Sequence, residues 1–187
     1  MAHPDRDFLP GRRLVLAGVA AAIGLPATAW AEIPKSLATG AMERFKPARP
    51  PKPMPDLEFL DADDKPLRLA NLTGKARLIN LWATWCGPCV AELPQLDAIA
   101  ASHPGLRVLT VNQDTQKLEA VAPFLKAHGV THLEPWLNPD NSLTFQFGAE
   151  TLPATVLYDS AGREVWRTVG GRDWASADTA ALLAEAK

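Results

Sequence analysis

The chain has 187 residues, of which 47% are apolar, and this size and composition suit one globular domain with additional segments. Its formal net charge is −2 and its isoelectric point is about 6.1. These values argue against nucleic acid as a partner, because nucleic-acid-binding domains carry clustered lysines and arginines.

Residues 1–31 have the layout of a signal peptide. Arg12 and Arg13 precede an apolar run at 14–25, and an Ala-x-Ala sequence ends the segment. The run is shorter than the ~20 residues that a membrane span needs, so we expect cleavage before Glu32, with an uncleaved anchor as the alternative. The paired arginines fit either the Tat or the Sec route. Both routes predict a periplasmic location, where disulfides form and persist.

Residues 32–55 are predicted to form a tether. Five of the ten residues at 46–55 are prolines, which exclude a helix and a central strand. We expect an extended polyproline spacer with a rise of about 3.1 Å per residue, or roughly 30 Å in all. It would be a disordered tail after cleavage, or a stalk if the N-terminus stays in the membrane.

The pattern over residues 56–187 predicts one α/β domain, because helices alternate with buried strands in a layered, mixed sheet. The predicted elements are a hairpin at 56–69, a strand at 76–83, a helix at 88–102, a strand at 106–112, a helix at 115–129 that ends at Gly129, a short helix that ends at Gly148, a hairpin of strands at 153–159 and 163–169, and a final helix that begins near Asp173 or Ser176.

The two cysteines of the chain, Cys86 and Cys89, lie at the start of the first predicted helix. A loop this small adds little stability as a cross-link, so the pair indicates chemistry or metal binding. The helix dipole and the free N–H groups of the first turn favour a thiolate on Cys86. We therefore predict that Cys86 attacks a disulfide and that Cys89, one turn further and more buried, resolves the mixed disulfide. Pro88 lies in the first turn, where its missing N–H costs little.

An inert structural bridge and metal binding are the alternatives for this pair. Zinc would need two further ligands, and His103, His128 and His132 are not spaced as a pair with the cysteines. A Cu(I) chaperone would use methionine or histidine beside the thiols, but Met42 and Met54 lie in or before the proline-rich run. We expect no metal and no cofactor besides the redox-active disulfide, and we keep a copper-handling metallochaperone as the alternative function.

The sequence WATWCGPC, which ends at Cys89, is followed by ELP, by LPATVLYDSAGREV and by DWAS. This ordered set resembles the thioredoxin-like family, and more narrowly the exported TlpA/ResA-type thiol–disulfide oxidoreductases, over about residues 56–187. The resemblance implies a thioredoxin-like fold, in which helices flank a central mixed β-sheet with an N-terminal β-hairpin and a short helical insert. It also implies thiol–disulfide exchange as the activity.

Further site residues follow from the resemblance. Pro153 occupies the place of the family's cis-proline opposite the cysteines, where a cis bond turns the backbone of Leu152 toward an incoming substrate strand. Ordinary thioredoxins have a buried aspartate at the position of Asn80, and an asparagine cannot titrate. Glu92, one turn after Cys89, is predicted to exchange the proton instead, with a pKa raised by partial burial. Otherwise, Glu92 only complements the positive helix start.

The dipeptide Gly87-Pro88 between the cysteines is that of thioredoxin, whose potential is about −270 mV against about −120 mV for the strong oxidant DsbA. It predicts a reductase that keeps client cysteines reduced, and a potential near that of DsbA would indicate an oxidase. The resemblance implies apocytochrome c or copper-delivery proteins of cytochrome oxidase assembly as clients, and a membrane thiol transporter as electron donor. We expect a monomer, with Trp85 shaping the contact surface.

Overall fold

The computed structural model describes residues 46–61, 63–115 and 118–186. The predicted signal peptide and the first part of the predicted tether lie outside these residues. In the part of the chain that is described, no helix has both the length and the apolar character needed to cross a membrane.

Within the described residues, eight strands form one mixed sheet, and four α-helices accompany it. The strands are β1 (Lys46–Pro47), β2 (Glu58–Leu60), β3 (Pro66–Arg68), β4 (Ala76–Trp82), β5 (Leu106–Asn112), β6 (Trp136–Leu137), β7 (Ala154–Tyr158) and β8 (Glu164–Val169). The helices are α1 (Gly87–Ser102), α2 (Val121–Ala127), α3 (Ser142–Phe147) and α4 (Thr179–Ala184). The strand order is β1-β8-β7-β4-β5-β6-β2-β3, which confirms the thioredoxin-like α/β fold.

The central strand β4 determines which faces of the sheet are buried. Successive side chains of a strand point to opposite faces. Leu78 and Trp82 therefore belong to the core cluster that also contains the apolar residues of α1. Ile79 and Leu81 belong to the cluster on the other face. Asn80 lies between Ile79 and Leu81, and by this alternation its side chain faces α1.

The register of β4 brings two distant parts of the chain to one edge of the sheet. β4 pairs with β5 in parallel and with β7 antiparallel. Leu81 is opposite Ala154, so the end of β4 lies beside the beginning of β7. The loop after β4, which leads to the cysteines, therefore meets the chain that enters β7 through Pro153.

The predicted hairpins are confirmed as the antiparallel pairs β2–β3 and β7–β8. The central strands and α1 match their predicted ranges within one residue. Glycines with positive φ follow α2 and α3, as predicted, with angles of 73° at Gly129 and 60° at Gly148. The two-residue strand β6 was not predicted, because so short a strand has no periodic pattern.

Two predicted helix starts are wrong. The helix predicted from residue 115 begins at Val121, after a 3₁₀ turn at Leu118–Ala120. Pro123 explains the late start, because proline is tolerated in the first turn of a helix and not in its interior. The last helix begins at Thr179, because the Ser176 hydroxyl lies 2.6 Å from both the Asp173 carbonyl and the Asp178 carboxylate, donates its one hydrogen between them, and holds the preceding residues in turns.

The proline-rich run is bent at residues 49–50, where the Arg49–Pro50 peptide bond is cis, so it is not one extended spacer, and residues 46–54 do not separate from the domain. β1 pairs with β8, and the N–H of Ala48 donates to the carbonyl of Val165 at 2.9 Å. Further along, the carbonyl of Lys52 accepts the N–H of Glu164 at 2.7 Å. The free spacer prediction is therefore wrong for these residues. Proline is tolerated in an edge strand, because one side of such a strand needs no partner. The backbone N–H and C=O groups that bond to β8 are enough to cover its open edge.

A buried carboxylate on α1 fixes the loop before β6. One oxygen of Asp97 accepts backbone N–H groups from Thr131, His132 and Leu133 at 2.6 to 3.0 Å. Its other oxygen is 2.9 Å from Nδ1 of His132. Burial alone raises the pKa of Asp97, but the hydrogen bonds from these three residues outweigh burial and lower the pKa below its ordinary value.

Replacing Asp97 with alanine is expected to lower the free energy of unfolding by about 3 kcal/mol at neutral pH, because the backbone donors lose their acceptor. Because the folded pKa is depressed, the contribution of the charge is complete above the unfolded value of about 3.9 and is lost as the pH falls through the folded value. Urea unfolding at several pH values measures both effects. The Asp97→Asn control retains an acceptor and is expected to lose less. Equal stability of wild type and Asp97→Ala would contradict this account.

Candidate active site

Cys86 and Cys89 form a disulfide at the start of α1. Cys86 is the N-cap of the helix, and its Sγ accepts the backbone N–H of Cys89 at 3.4 Å. The exposed fraction is 6% for Cys86 and 1% for Cys89, which confirms that Cys89 is the more buried of the two. An incoming sulfur atom therefore has access to Cys86 before Cys89.

The local sequence explains this placement of the pair. The N–H of Cys86 donates to the carbonyl of Ala83 at 3.1 Å, which closes a turn directly after β4. Pro88 occupies the first helical turn, where no intrahelical partner for its nitrogen is required. The N–H of Val90 then donates to the carbonyl of Cys86 at 3.0 Å and begins the helix ladder. The positive end of the helix dipole thus lies at the Cys86 sulfur.

Glu92 lies on α1 one turn after Cys89, and it is more deeply buried than predicted, with an exposed fraction of 3%. One carboxylate oxygen accepts the backbone N–H of Arg172, and the other is 3.4 Å from Nδ2 of Asn80. Burying a carboxylate costs free energy unless it accepts hydrogen bonds, and these donors provide such bonds. Glu92 therefore connects three elements, namely α1, β4 and the loop that follows β8.

Asn80 is buried beside this carboxylate and holds a fixed position. Its Nδ2 also donates to the hydroxyl of Thr155 on β7 at 2.9 Å. Its Oδ1 is buried and accepts no hydrogen bond from any residue that the structure describes. The amide orients Glu92 and carries no titratable proton itself.

Gln95 adds a second link between α1 and the loop after β8. Its side-chain oxygen accepts the N–H of Trp174 at 2.6 Å, and its side-chain nitrogen donates to Asp173 at 3.1 Å. Glu92 and Gln95 together hold residues 172–174 against the helix. Sequence reasoning missed the role of Gln95, because nothing in the chain near Gln95 signals a contact with residues almost 80 positions away.

The peptide bond between Leu152 and Pro153 is cis, which agrees with the prediction. The carbonyl of Pro153 accepts the N–H of Gly170 at 2.9 Å, so the start of β7 is fixed to the end of β8. Leu152 is half-buried at the same sheet edge as the loop that carries Cys86. The structure thus brings the cysteines and the cis-proline together, as the resemblance implied.

Two grooves share their rim at residues 150–152. The first, called the aromatic groove, has a volume of about 490 Å³ and is lined by residues that include Trp85, Asp114, Phe145 and Leu152. Trp85 is 73% exposed and Phe145 is 81% exposed, and no other large apolar side chain among the described residues is classed as exposed. Sequence reasoning identified Trp85 and missed Phe145, because nothing in the sequence around Phe145 indicates that α3 lies beside Trp85.

Asp114 joins the wall of the aromatic groove to the loop before the cysteines. Its carboxylate accepts the N–H of Thr84 and the side-chain amide of Asn112, each at 3.1 Å. This contact fixes the turn from which Trp85 projects.

The second groove, called the basic groove, has a volume of about 710 Å³. Its lining includes Lys46, Arg49 and Lys52 of the N-terminal segment, together with Glu150, Pro88 and Leu152. Regarding metals, no group of three or more histidine, cysteine, aspartate or glutamate side chains in the described part of the chain is arranged to hold an ion. The expected absence of a metal stays a prediction.

Comparison with known proteins yields one family. The Redoxin family model matches residues 50–183. The thiol:disulfide interchange protein HelX of Rhodobacter capsulatus is 32% identical over 139 residues, which cover 73% of this chain and 73% of HelX. The thiol-disulfide oxidoreductase ResA of Bacillus subtilis is 32% identical over 114 residues, which cover 59% of this chain and 62% of ResA.

Solved structures agree with this result. A DsbE-type thiol:disulfide interchange protein from Chlorobium tepidum has a TM-score of 0.61 and 25% identity, over 72% of this chain and 93% of that structure. The exposed lipoprotein thioredoxin Etrx1 of Streptococcus pneumoniae also has a TM-score of 0.61, with 26% identity over 70% of this chain and 99% of that structure.

Proposed function

The chain belongs to the Redoxin family and is a thiol–disulfide oxidoreductase, and we propose that it works as a protein-disulfide reductase in the bacterial periplasm. The observation that carries the proposal is the redox pair at the start of α1, in which Cys86, the more exposed of the two sulfurs, and Cys89 are separated by Gly87-Pro88. The periplasmic location is supported by the signal-peptide layout of residues 1–31.

The reaction begins with both cysteines as thiols. The Cys86 thiolate attacks one sulfur of the client disulfide, which forms a mixed disulfide and releases one client thiolate. Cys89 then loses its proton and attacks the Cys86 sulfur, which closes the protein disulfide and releases the second client thiolate. Two electrons pass from the protein to the client, and two protons complete the client thiols. A dithiol donor must then reduce the protein again, and we assign this role to a membrane thiol transporter.

The helix start and Glu92 serve different steps of this reaction. The dipole and free N–H groups of α1 favour the thiolate of Cys86, which makes it the attacking group. Glu92 is proposed to accept the proton of Cys89 during the second attack, with Asn80 orienting the carboxylate. The burial of Glu92 one turn from Cys89 supports this assignment.

The client is proposed to bind across Leu152, with its chain along the backbone that precedes Pro153. The exposed rings of Trp85 and Phe145 offer apolar contact area beside the accessible sulfur. Apocytochrome c and copper-delivery proteins of cytochrome oxidase assembly are the proposed clients. The resemblance to the TlpA/ResA-type proteins implies these clients. The similarity to HelX and ResA supports that resemblance.

Reduction of insulin disulfides, set beside a Cu(I) titration, tests the proposal. We expect the protein to accelerate insulin reduction with a dithiol donor and not to act as a stoichiometric Cu(I) binder, because the methionine or histidine that a Cu(I) chaperone would usually place beside the thiols is not near the pair in the sequence. Tight stoichiometric binding of Cu(I) with no disulfide exchange would contradict the proposal and favour a metallochaperone.

A further inference from the structure

The basic groove is lined by the N-terminal edge segment of the sheet and by residues that adjoin the redox pair. Lys46, Arg49 and Lys52 line one part of it, and Pro88 and Leu152 line another. Pro88 stands between the two cysteines in the chain, and Leu152 precedes the cis-proline. A polypeptide that lies in this groove therefore reaches Pro88 and Leu152, which adjoin the redox pair and the cis-proline.

Three of the four cations that line this groove have no carboxylate partner among the described residues. Lys46, Arg49 and Lys52 are exposed, and none of them forms an ion pair with another described residue. Arg167, a fourth cation in the lining, is paired with Glu164 and so is compensated. Glu150, which is exposed, also lines the groove, so its four cations face two carboxylates, Glu150 and Glu164, and the lining keeps a net positive charge beside Pro88.

Hydrogen bonds hold the backbone segment that carries these cations. The N–H of Ala48 donates to the carbonyl of Val165 at 2.9 Å, and the carbonyl of Lys52 accepts the N–H of Glu164 at 2.7 Å. Both bonds attach the segment to β8, whose strand neighbour β7 follows the cis-proline. The three side chains are exposed, but the backbone from which they project is attached to β8 beside the site.

We propose that the basic groove binds an acidic client segment, in which aspartate or glutamate residues flank the disulfide to be reduced. This inference rests on the proposed function and specifies the class of client. Exposed complementary charges act mainly on the association rate and make it depend on salt. A polypeptide fits these observations better than a membrane surface, because Pro88, which stands between the two cysteines, lines the same groove as the cations.

Two synthetic peptides test the proposal with the full-length, reduced protein. Each contains one disulfide, flanked by glutamates in one peptide and by lysines in the other, and a small neutral disulfide reports basal exchange. At low salt the wild type is expected to reduce the glutamate peptide about 10-fold faster than the lysine peptide. The preference is expected to shrink in about 1 M salt, where the Debye length is about 3 Å.

Charge reversal in the groove and at a matched set of other positions separates the effect of the groove from the effect of the protein's net charge. The variant Lys46→Glu/Arg49→Glu/Lys52→Glu is expected to lose or invert the preference and to keep the rate with the neutral disulfide. The matched control reverses three exposed lysines that do not line the groove, Lys65→Glu/Lys75→Glu/Lys126→Glu, and is expected to keep the preference. Glutamine at the three groove positions removes the charge without reversal, and this second variant is expected to abolish the preference.

Four results would overturn the proposal. They are equal rates with both peptides in the wild type, an unchanged preference in the charge-reversed groove, an equal loss in the matched control, and binding to phosphatidylserine vesicles without any peptide preference. If the wild type reduces the neutral disulfide, each of these results contradicts the proposed role of the basic groove and leaves the proposed reductase function standing. A wild type that reduces none of the three disulfides contradicts the proposed function as well.

Discussion

Replacing Cys86 with serine is expected to lower protein-disulfide reduction by about three orders of magnitude or more, because the chain then lacks its accessible nucleophile. Replacing Cys89 with serine is expected to leave the first attack intact and to arrest the reaction at the mixed disulfide. The different burial of the two sulfurs is the reason for this asymmetry. Insulin reduction measures the first effect, and mass spectrometry of the arrested species measures the second.

The two serine variants control for each other, since each removes one sulfur and the disulfide alike. A loss of stability caused by the missing cross-link therefore affects both equally. Client adducts on Cys89 in the Cys86→Ser variant, at the rate seen for Cys86 in the other variant, would contradict the assigned order of attack. The Cys89→Ser variant, expressed with its N-terminal segment, also captures the native clients as mixed disulfides.

Replacing Glu92 with glutamine is expected to slow the second step, the attack of Cys89 on the mixed disulfide, by about 10²-fold at neutral pH. The amide retains an oxygen that accepts the N–H of Arg172, so the loop contact persists while the proton acceptor is lost. The rate of the variant is expected to rise with pH toward the ordinary thiol pKa of about 8.5, where hydroxide removes the proton. Single-turnover kinetics across this pH range measure the effect.

The slower second step of Glu92→Gln could also arise from a weakened contact between α1 and the loop after β8, and Gln95→Ala tests this explanation. This variant removes the other contact between α1 and the loop after β8 and leaves the carboxylate in place. It is expected to keep the pH profile of the wild type. If Glu92→Gln leaves both the thiol titration and the exchange rate unchanged, Glu92 has no role in proton transfer and only stabilises the fold.

The local pattern of the chain was sufficient to predict the frame of the site. The apolar run at 76–83 predicted β4, because a strand buried on both faces has few polar residues. The spacing of apolar residues after Pro88 predicted α1, and the junction between the two placed Cys86 at a helix start. These features depend on neighbours in sequence, and the structure confirms them.

Contacts between distant parts of the chain were not predictable in this way. The five prolines at 46–55 indicated an extended segment but not its partner, and pairing with β8 depends on an edge that the chain completes more than 100 residues later. Similarly, the bond from Arg172 to Glu92 uses a backbone N–H, which every residue except proline has. Only the assembled sheet decides which N–H reaches the carboxylate.

The reduction potential of the Cys86–Cys89 pair tests the central claim, that this protein donates electrons to client disulfides. Equilibration of the protein with a series of dithiol and disulfide buffers, followed by measurement of its free thiols, determines this potential. The account predicts a value near that of thioredoxin, about −270 mV, because the same dipeptide separates the cysteines. A value near that of DsbA, about −120 mV, would make the protein an oxidant and contradict the account.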